Sequence, residues 1–345
     1  MNRIAIIGAG VLGRTLALDL LEAGHQLSIF DPDLETGSRS TGFVAGGMLA
    51  PFSEREKGEA LNFELGLASL KLWPKLASHL KLSRHFSKKG SLIVAHPRDK
   101  ALWDEVTGKI RHGIPEENFE LLGKEQLRAE LGAKFGQALF IPSEGHVDPR
   151  EFMKAAYVSL LSAGVTMENR SLTLEDACLD DFDLVVDTRG MGAFKDLEDL
   201  RGVRGEAVIV KAPEVKIKRP VRVMHPRYSL YIVPRMNHQF YLGATQIECA
   251  NTGGITVRST LELLSAAFSV DSGFAEGEII ETCTGLRPAL FSNEPEIRIR
   301  NKHISINGLY RHGFLLSPIV SQITCAYIAD ERPGTLATKI IKVES

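Results

Sequence analysis

The chain has 345 residues, 44% of them apolar and 24% charged, which is long enough for two domains and within the globular range. A formal net charge of -2 gives no long-range attraction to nucleic acid or anionic lipid, so a small molecule is the expected partner and neither a nucleic acid nor a membrane is. Cys178, Cys249, Cys283 and Cys325 are too far apart for a Cys-x-x-Cys redox pair or a zinc knuckle, and the histidines offer no His-Glu-x-x-His spacing, so no metal site is expected.

In chain order, residues 3–7 form an apolar run of the kind that makes a parallel strand buried on both faces, and it ends at Gly8-Ala9-Gly10-Val11-Leu12-Gly13. Those glycines, with Arg14 and Asp19 close behind, break the resemblance to a secretion signal, and no stretch approaches the ~18 apolar residues of a spanning helix. The expected location is cytoplasmic, with reduced thiols. Leu12, Leu16 and Leu20 then repeat at helical spacing, Gly24 supplies a stop, and a second strand over 26–30 ends at Asp31.

These are the successive parts of a dinucleotide-binding βαβ unit. Gly8 permits the tight turn, Gly10 lets backbone approach a pyrophosphate, and Gly13 lets the helix pack close to the strand. The helix N-terminus offers free N–H groups and partial positive charge to the phosphates. Asp31 is placed to accept hydrogen bonds from a ribose hydroxyl pair, and its charge argues against the 2′-phosphate of NADP. Three glycines alone prove little in a chain with 31 of them; their place between a buried strand and a helix carries the reading.

The following segment separates NAD from FAD. Instead of further βα units comes the small, glycine-rich stretch 37–51, which ends without a predicted strand and carries Phe43, Val44, Met48 and Leu49. Small residues and bare backbone suit passage against a flat isoalloxazine ring, and Ser40 or Thr41 is placed to bond the pyrophosphate. Farther on, the pattern predicts a helix over 61–80, strands over 90–96 and 138–142 around a charged helix, a helix near 149–163, and a strand at 184–186 ending in Asp187-Thr188-Arg189-Gly190. Antiparallel strands are predicted at 207–210, 228–235 and 240–245, the last two joined by a polar turn at 236–239. Ser317-Pro318 reads as the N-cap and first residue of a helix running to about Asp330.

At this point the sequence resembles the D-amino-acid oxidase and glycine oxidase family of flavoproteins, most like its thiamine-pathway branch. The resemblance rests on Ala45-Gly46-Gly47-Met48-Leu49-Ala50-Pro51, Glu144-Gly145-His146-Val147-Asp148-Pro149-Arg150, Asp187-Thr188-Arg189-Gly190, Leu200-Arg201-Gly202-Val203-Arg204-Gly205-Glu206, His225-Pro226-Arg227-Tyr228, Tyr231-Ile232-Val233-Pro234-Arg235, Gly243-Ala244-Thr245, Gly285-Leu286-Arg287-Pro288 and Tyr310 to Pro318. It covers nearly the whole chain. It implies a mixed fold, α/β plus α+β: a Rossmann-like FAD-binding domain of residues 1–85, 145–203 and 290–345, interleaved with an antiparallel-sheet substrate-binding domain of residues 86–144 and 204–289.

The resemblance also implies the site. FAD would be held by Gly8, Gly10, Val11, Leu12, Gly13, Asp31, Ser40, Thr41, Ala45, Gly46, Gly47, Met48, Leu172, Thr188, Gly190, Arg311, Gly313, Phe314, Leu315 and Leu316. Arg287 and Tyr231 match the family's carboxylate-binding pair, with Arg311 as a third candidate. On spacing alone Arg287 is a structural ion-pair residue and Tyr231 an ordinary strand aromatic, and the family match reverses both readings. Cys283-Thr284-Gly285-Leu286 does not resemble a covalent flavin attachment site, so FAD is expected to be non-covalent.

The implied reaction is hydride transfer from Cα of glycine or a similar small amino acid to FAD, with dioxygen as acceptor and hydrogen peroxide as product, in thiazole synthesis for thiamine. The alternatives are a D-amino-acid or secondary-amine dehydrogenase with another acceptor, and an accessory flavoprotein without amine oxidation. Two departures, Thr188-Arg189-Gly190 and Ser292-Asn293, leave the substrate less secure than the fold. The family further implies a homo-oligomer, which no named residue carries.

Overall fold

A computed structural model describes the chain apart from residues 56–58, 133, 226–229 and 345. Residues Pro226–Tyr228 of the His225–Tyr228 motif, and the start of the strand predicted over 228–235, lie outside the described residues. Among the described residues the strands form three sheets.

The apolar run Arg3–Ile7 is an inner strand of a seven-stranded sheet and pairs in parallel with Gln26–Asp31 on one side and Leu184–Asp187 on the other. Ile4, Ala5, Ile6 and Ile7 are all buried, which is why the run shows no polar alternation. The helix Val11–Glu22 follows as predicted, and Gly24, at φ +83°, turns the chain out of it; the Gly24 and His25 N–H groups bond the Leu21 and Leu20 carbonyls at 3.0 and 3.1 Å.

The eight-stranded sheet runs in spatial order Glu278–Leu290, Leu200–Lys211, Gln239–Gly243, Leu230–Pro234, Val221–Met224, Ser91–Ala95, Gln137–Ile141 and Glu120–Gly123. It is antiparallel except where Val221–Met224 pairs in parallel with Ser91–Ala95. The predicted turn at 236–239 is a short 3-10 segment, Met236–His238, with Asn237 at φ 59°. Strand Leu200–Lys211 begins well before the predicted 207–210, because Gly202 and Gly205 interrupt its apolar pattern without interrupting its pairing.

Three further predicted elements differ from those observed. The stretch 37–51 does contain a strand, Met48–Leu49, which pairs with Gly145–Val147 in a small third sheet; two residues are too few to leave a periodic signature. The helix predicted over 61–80 is two helices, Ala60–Leu70 and Trp73–His79, divided just before Pro74.

The third difference bears on the site. The last long helix is Gly313–Ile328 and starts one turn before Ser317-Pro318, so Ser317 is inside it and its hydroxyl donates to the Gly313 carbonyl at 2.5 Å. Pro318 has no N–H to give to the Phe314 carbonyl. Trp73 Nε1 supplies the missing donor at 3.2 Å, and the Trp73, Phe152 and Phe314 rings pack together at centroid distances of 5.5–6.4 Å. An apolar cluster thereby fixes where this helix begins.

Candidate active site

Between the two large sheets lies a cavity of about 1110 Å³. One end is built by the glycine turn. A Cβ on Gly13 would sit 2.0 Å from the Gly8 carbonyl oxygen, one on Gly8 would sit 2.8 Å from the Arg189 backbone, and one on Gly42 would sit 2.3 Å from Val11. The turn is thus packed as closely as backbone allows, which puts the N-terminus of Val11–Glu22 against the cavity with no side chain between. Asp31, in the cavity lining, accepts the Ala9 N–H on Oδ2 and the Asp33 N–H on Oδ1, each at 2.8 Å, which orders the turn.

The middle of the cavity is walled by residues 44–48, which pack on the eight-stranded sheet through Val44 and Met48. Arg235, beneath this segment, donates to the Ala45 carbonyl at 2.9 Å. Ser40 accepts the Gly42 N–H at 3.1 Å, whereas Thr41 donates to the Leu286 carbonyl at 2.7 Å, so its one proton is committed across to the other sheet. A second helix N-terminus, Gly313-Phe314-Leu315, also faces the cavity and brings partial positive charge with it.

The cavity lining includes Gly8, Gly10, Val11, Leu12, Asp31, Ser40, Thr41, Ala45, Gly46, Gly47, Met48, Leu172, Thr188, Gly190, Arg311, Gly313, Phe314 and Leu315 from the expected cofactor shell, together with Arg287 and Tyr231. Gly13 and Leu316 are not part of the lining. Gly13 supports the turn from behind, and Leu316 is fully buried in the apolar core. Arg189, which departs from the family pattern, is tied to Asp187 at 2.7 Å and Asp196 at 2.5 Å and donates to the Leu172 carbonyl at 3.2 Å.

The far end is built on the eight-stranded sheet. The Arg287 guanidinium lies flat over Gly205, where a Cβ would come within 2.5 Å of it, and its Nη1 donates to the Thr245 carbonyl at 3.0 Å. Among the described residues no carboxylate lies within ion-pair distance of it. Burial lowers its pKa, with Tyr241 the largest opposing influence, but a guanidinium remains charged at any working pH.

Arg311 differs. Its Nη2 meets Glu54 Oε2 at 2.5 Å, and the other Glu54 oxygen accepts the Tyr231 hydroxyl proton. Burial acts to raise the Glu54 pKa, but Arg311, Arg222, His312 and Tyr231 together hold it down at about 2. His312, next to the helix start, is pushed down to about 4 by burial against the pull of Glu54, so it is neutral near pH 7. Glu54 and Tyr241 line the cavity without having been singled out in the sequence, and Thr245 and His312, which lie in the motifs that carry the resemblance, line it without having been given a role. Tyr241 had a signal: two residues before Gly243 on one strand, it shares a face with the glycine that pairs with Tyr231.

A cavity with two helix N-termini, a glycine cradle and small residues along its middle fits a long, flat, phosphate-bearing cofactor. Residues 3–327 match the family described as FAD dependent oxidoreductase. The chain belongs to that family. It is accordingly an FAD-dependent oxidoreductase.

Within the family it is 38% identical over 324 residues to a Rhizobium etli protein named as a thiamine biosynthesis oxidoreductase, ThiO, covering 92% of this chain and 94% of that one. It is 27% identical to a glycine oxidase of Geobacillus kaustophilus, covering 99% of this chain and 98% of the relative. The crystal structure of glycine oxidase from Geobacillus kaustophilus superposes with a TM-score of 0.83 at 24% identity, covering 99% of each chain. An iminodiacetate oxidase structure from Chelativorans gives 0.82 at 23%, covering 99% of this chain and 100% of the other, and these two likenesses speak to the fold. Among the described residues no helix is long and apolar enough to cross a membrane, and no cluster of three or more metal-ligating side chains occurs.

Proposed function

We propose that this flavoenzyme oxidises glycine or a similarly small amino acid at Cα, passes the electrons to dioxygen and releases hydrogen peroxide, as a step that supplies an imine for thiazole synthesis. The observation that carries this is Arg287: a guanidinium with no carboxylate partner among the described residues, spread over a glycine in a cavity wall, is a seat for the carboxylate of a ligand. The relatives named for thiamine biosynthesis and for glycine oxidase support the pathway and the amine donor.

When bound, FAD would supply the electron acceptor for the hydride leaving Cα. The chain supplies position. Gly8, Gly10, Asp31 and Ser40 would hold the dinucleotide, with Ala45 to Met48 and the start of Gly313–Ile328 against the ring, and it would be held without a covalent bond, since none of the four cysteines is in the cavity lining. Arg287 would fix the carboxylate, so that Cα presents one hydrogen to the ring. Glu54, held near pKa 2, is a weak base, and His312, held near 4, does not titrate near neutrality, so the amine loses its proton to solvent rather than to either residue.

Oxygen uptake and peroxide formation by the purified enzyme test the reading. Stoichiometric consumption with glycine or another small amino acid, and glyoxylate or the matching keto acid as product, is expected. Substrate reduction of the flavin without oxygen uptake would instead establish a dehydrogenase with another acceptor.

A further inference from the structure

We infer that Arg150 and Glu281 form a latch across Phe43 that holds the segment 40–48 against the cavity and so sets how slowly bound FAD leaves. The inference rests on the reading that FAD lies in this cavity.

The segment has little regular structure to order it. Residues 32–47 form turns with no helix or strand among them, yet residues 40–42 and 44–48 line the cavity. On the inner side, Thr41 is tied to the Leu286 carbonyl and the Ala45 carbonyl to Arg235, by one hydrogen bond each. A wall built from turns is the part that opens at least cost, and whatever fastens it governs passage of a ligand behind it.

Phe43 is the residue of this stretch that does not line the cavity. It is half-buried, and the Arg150 guanidinium stands over its ring with Cζ 4.4 Å from the centroid. That is well inside the distance at which a cation is attracted to an aromatic face. Arg150 Nη2 donates to Glu281 Oε1 at 2.8 Å, so the carboxylate fixes the cation where it covers the ring.

The two ends of the latch belong to different layers. Arg150 is in the first turn of the helix Pro149–Ser162, whose cap, Asp148, accepts the Arg150 N–H at 3.0 Å. Phe152 and Met153 of that helix are buried in one core with Val11 and Leu16, beside the glycine turn. Glu281 is on Glu278–Leu290, an edge strand of the eight-stranded sheet. It lies opposite Ile209 and two residues from Cys283, so it shares their face, the one on which Val44 and Met48 pack. The register shifts between Ile209 and Val210, and Ile280 is left as the extra residue of a bulge beside Glu281. The ion pair therefore joins the helix layer of one sheet to the edge of the other, with the segment between them.

The Arg150 hydrogen bond holds the Glu281 carboxyl below its ordinary pKa, so the pair is ionised at neutral pH. Its side chains are 29% and 38% exposed, which leaves it open to screening by salt. Neither Arg150 nor Glu281 lines the cavity, so the latch can be removed without touching the cofactor shell.

The test is the rate at which FAD-loaded enzyme releases its flavin after large dilution, read from the fluorescence of free FAD. Arg150→Gln and Glu281→Gln are each expected to release it about three- to tenfold faster than wild type, the order of effect of one partly exposed ion pair and its ring contact. The double variant should be no faster than the faster single one, because both substitutions break the same contact. Raising NaCl from about 0.05 to about 0.5 M should speed release from wild type more than from the double variant. With FAD kept saturating, kcat should stay near wild type in all three.

Single variants that release FAD at the wild-type rate, or effects that add in the double variant, would overturn the latch. Gly10 tests the underlying reading separately: its φ of -69° suits other residues, and a Cβ there would meet only Ser40 Oγ, 3.3 Å away. Gly10→Val is expected to keep the wild-type circular dichroism spectrum and to purify with little FAD. A Gly10→Val enzyme with full FAD content would put the cofactor elsewhere and remove the reading on which the latch rests.

Discussion

Arg311 and Glu54 meet at 2.5 Å in the cavity wall, and this contact decides which of two arginines is available to a ligand. Two guanidinium groups face the same space, and the carboxylate neutralises one of them while Arg287 keeps its charge for the substrate. Removing one member of such a buried pair strands the other, at a cost of about 3–5 kcal/mol. Glu54→Ala is therefore expected to lower the unfolding free energy by that order at pH 7. The Glu54 carboxyl is depressed in the folded state, so its contribution is present above its ordinary value of 4.5 and disappears as pH falls toward about 2. Denaturant unfolding should show the gap between wild type and variant narrowing over that window, and a gap that stays constant would contradict the ion pair.

Glu144 gives the opposite sign. It is fully buried and accepts hydrogen bonds from Ser53 N at 2.7 Å, Ser53 Oγ at 2.5 Å and Ser91 Oγ, yet burial pushes its pKa up to about 7. A carboxyl raised in the folded state favours folding while protonated, and that advantage is lost as pH rises from about 4.5 to about 7. Glu144→Gln, which mimics the protonated acid, should raise the thermal midpoint relative to wild type at pH 8 and leave it nearly unchanged at pH 5. An equal shift at both values would show that Glu144 is not titrating in that range.

Gly205 matters because of what lies on it. A methyl group there would come within 2.5 Å of the Arg287 guanidinium, which must then move. Gly205→Ala is expected to lower kcat/KM for the amino-acid substrate about 10- to 100-fold, the size of effect that follows a misplacement of about 1 Å. The circular dichroism spectrum and FAD content should stay near wild type, which would separate displacement of the clamp from collapse of the fold.

With Glu54 ionised and His312 neutral across the working range, kcat/KM should rise with pH as the free amine of the substrate becomes more abundant. The profile should follow the amine when substrates of different amine pKa are compared. An inflection that stays at one pH for every substrate would identify an enzyme base instead.

The sequence was most legible where function restricts backbone. Gly8 to Gly13 and Asp31 have few alternatives between a buried strand and a helix, and the structure sets them along one end of the cavity or directly behind it. The start of the last helix was misread because Ser317-Pro318 is a good local start signal, while the actual start depends on Trp73, distant in sequence, bonding the Phe314 carbonyl that Pro318 leaves free. Glu54 was missed for a related reason. Its role is defined by Tyr231 and Arg311, and no local pattern brings those three together. Tyr231 and Tyr241 look equivalent as strand aromatics, and only side-chain contacts show that Tyr231 is the one tied to Glu54.

The central claim is that bound FAD takes electrons from a small amino acid seated on Arg287. Its most direct measurement is the visible spectrum of the purified enzyme during anaerobic addition of glycine, sarcosine and D-alanine in turn. Bleaching of the flavin band by at least one of them, and a much higher concentration of it required by Arg287→Ala, is the predicted result. A band that none of the three bleaches, in enzyme whose flavin dithionite readily reduces, would contradict the claim.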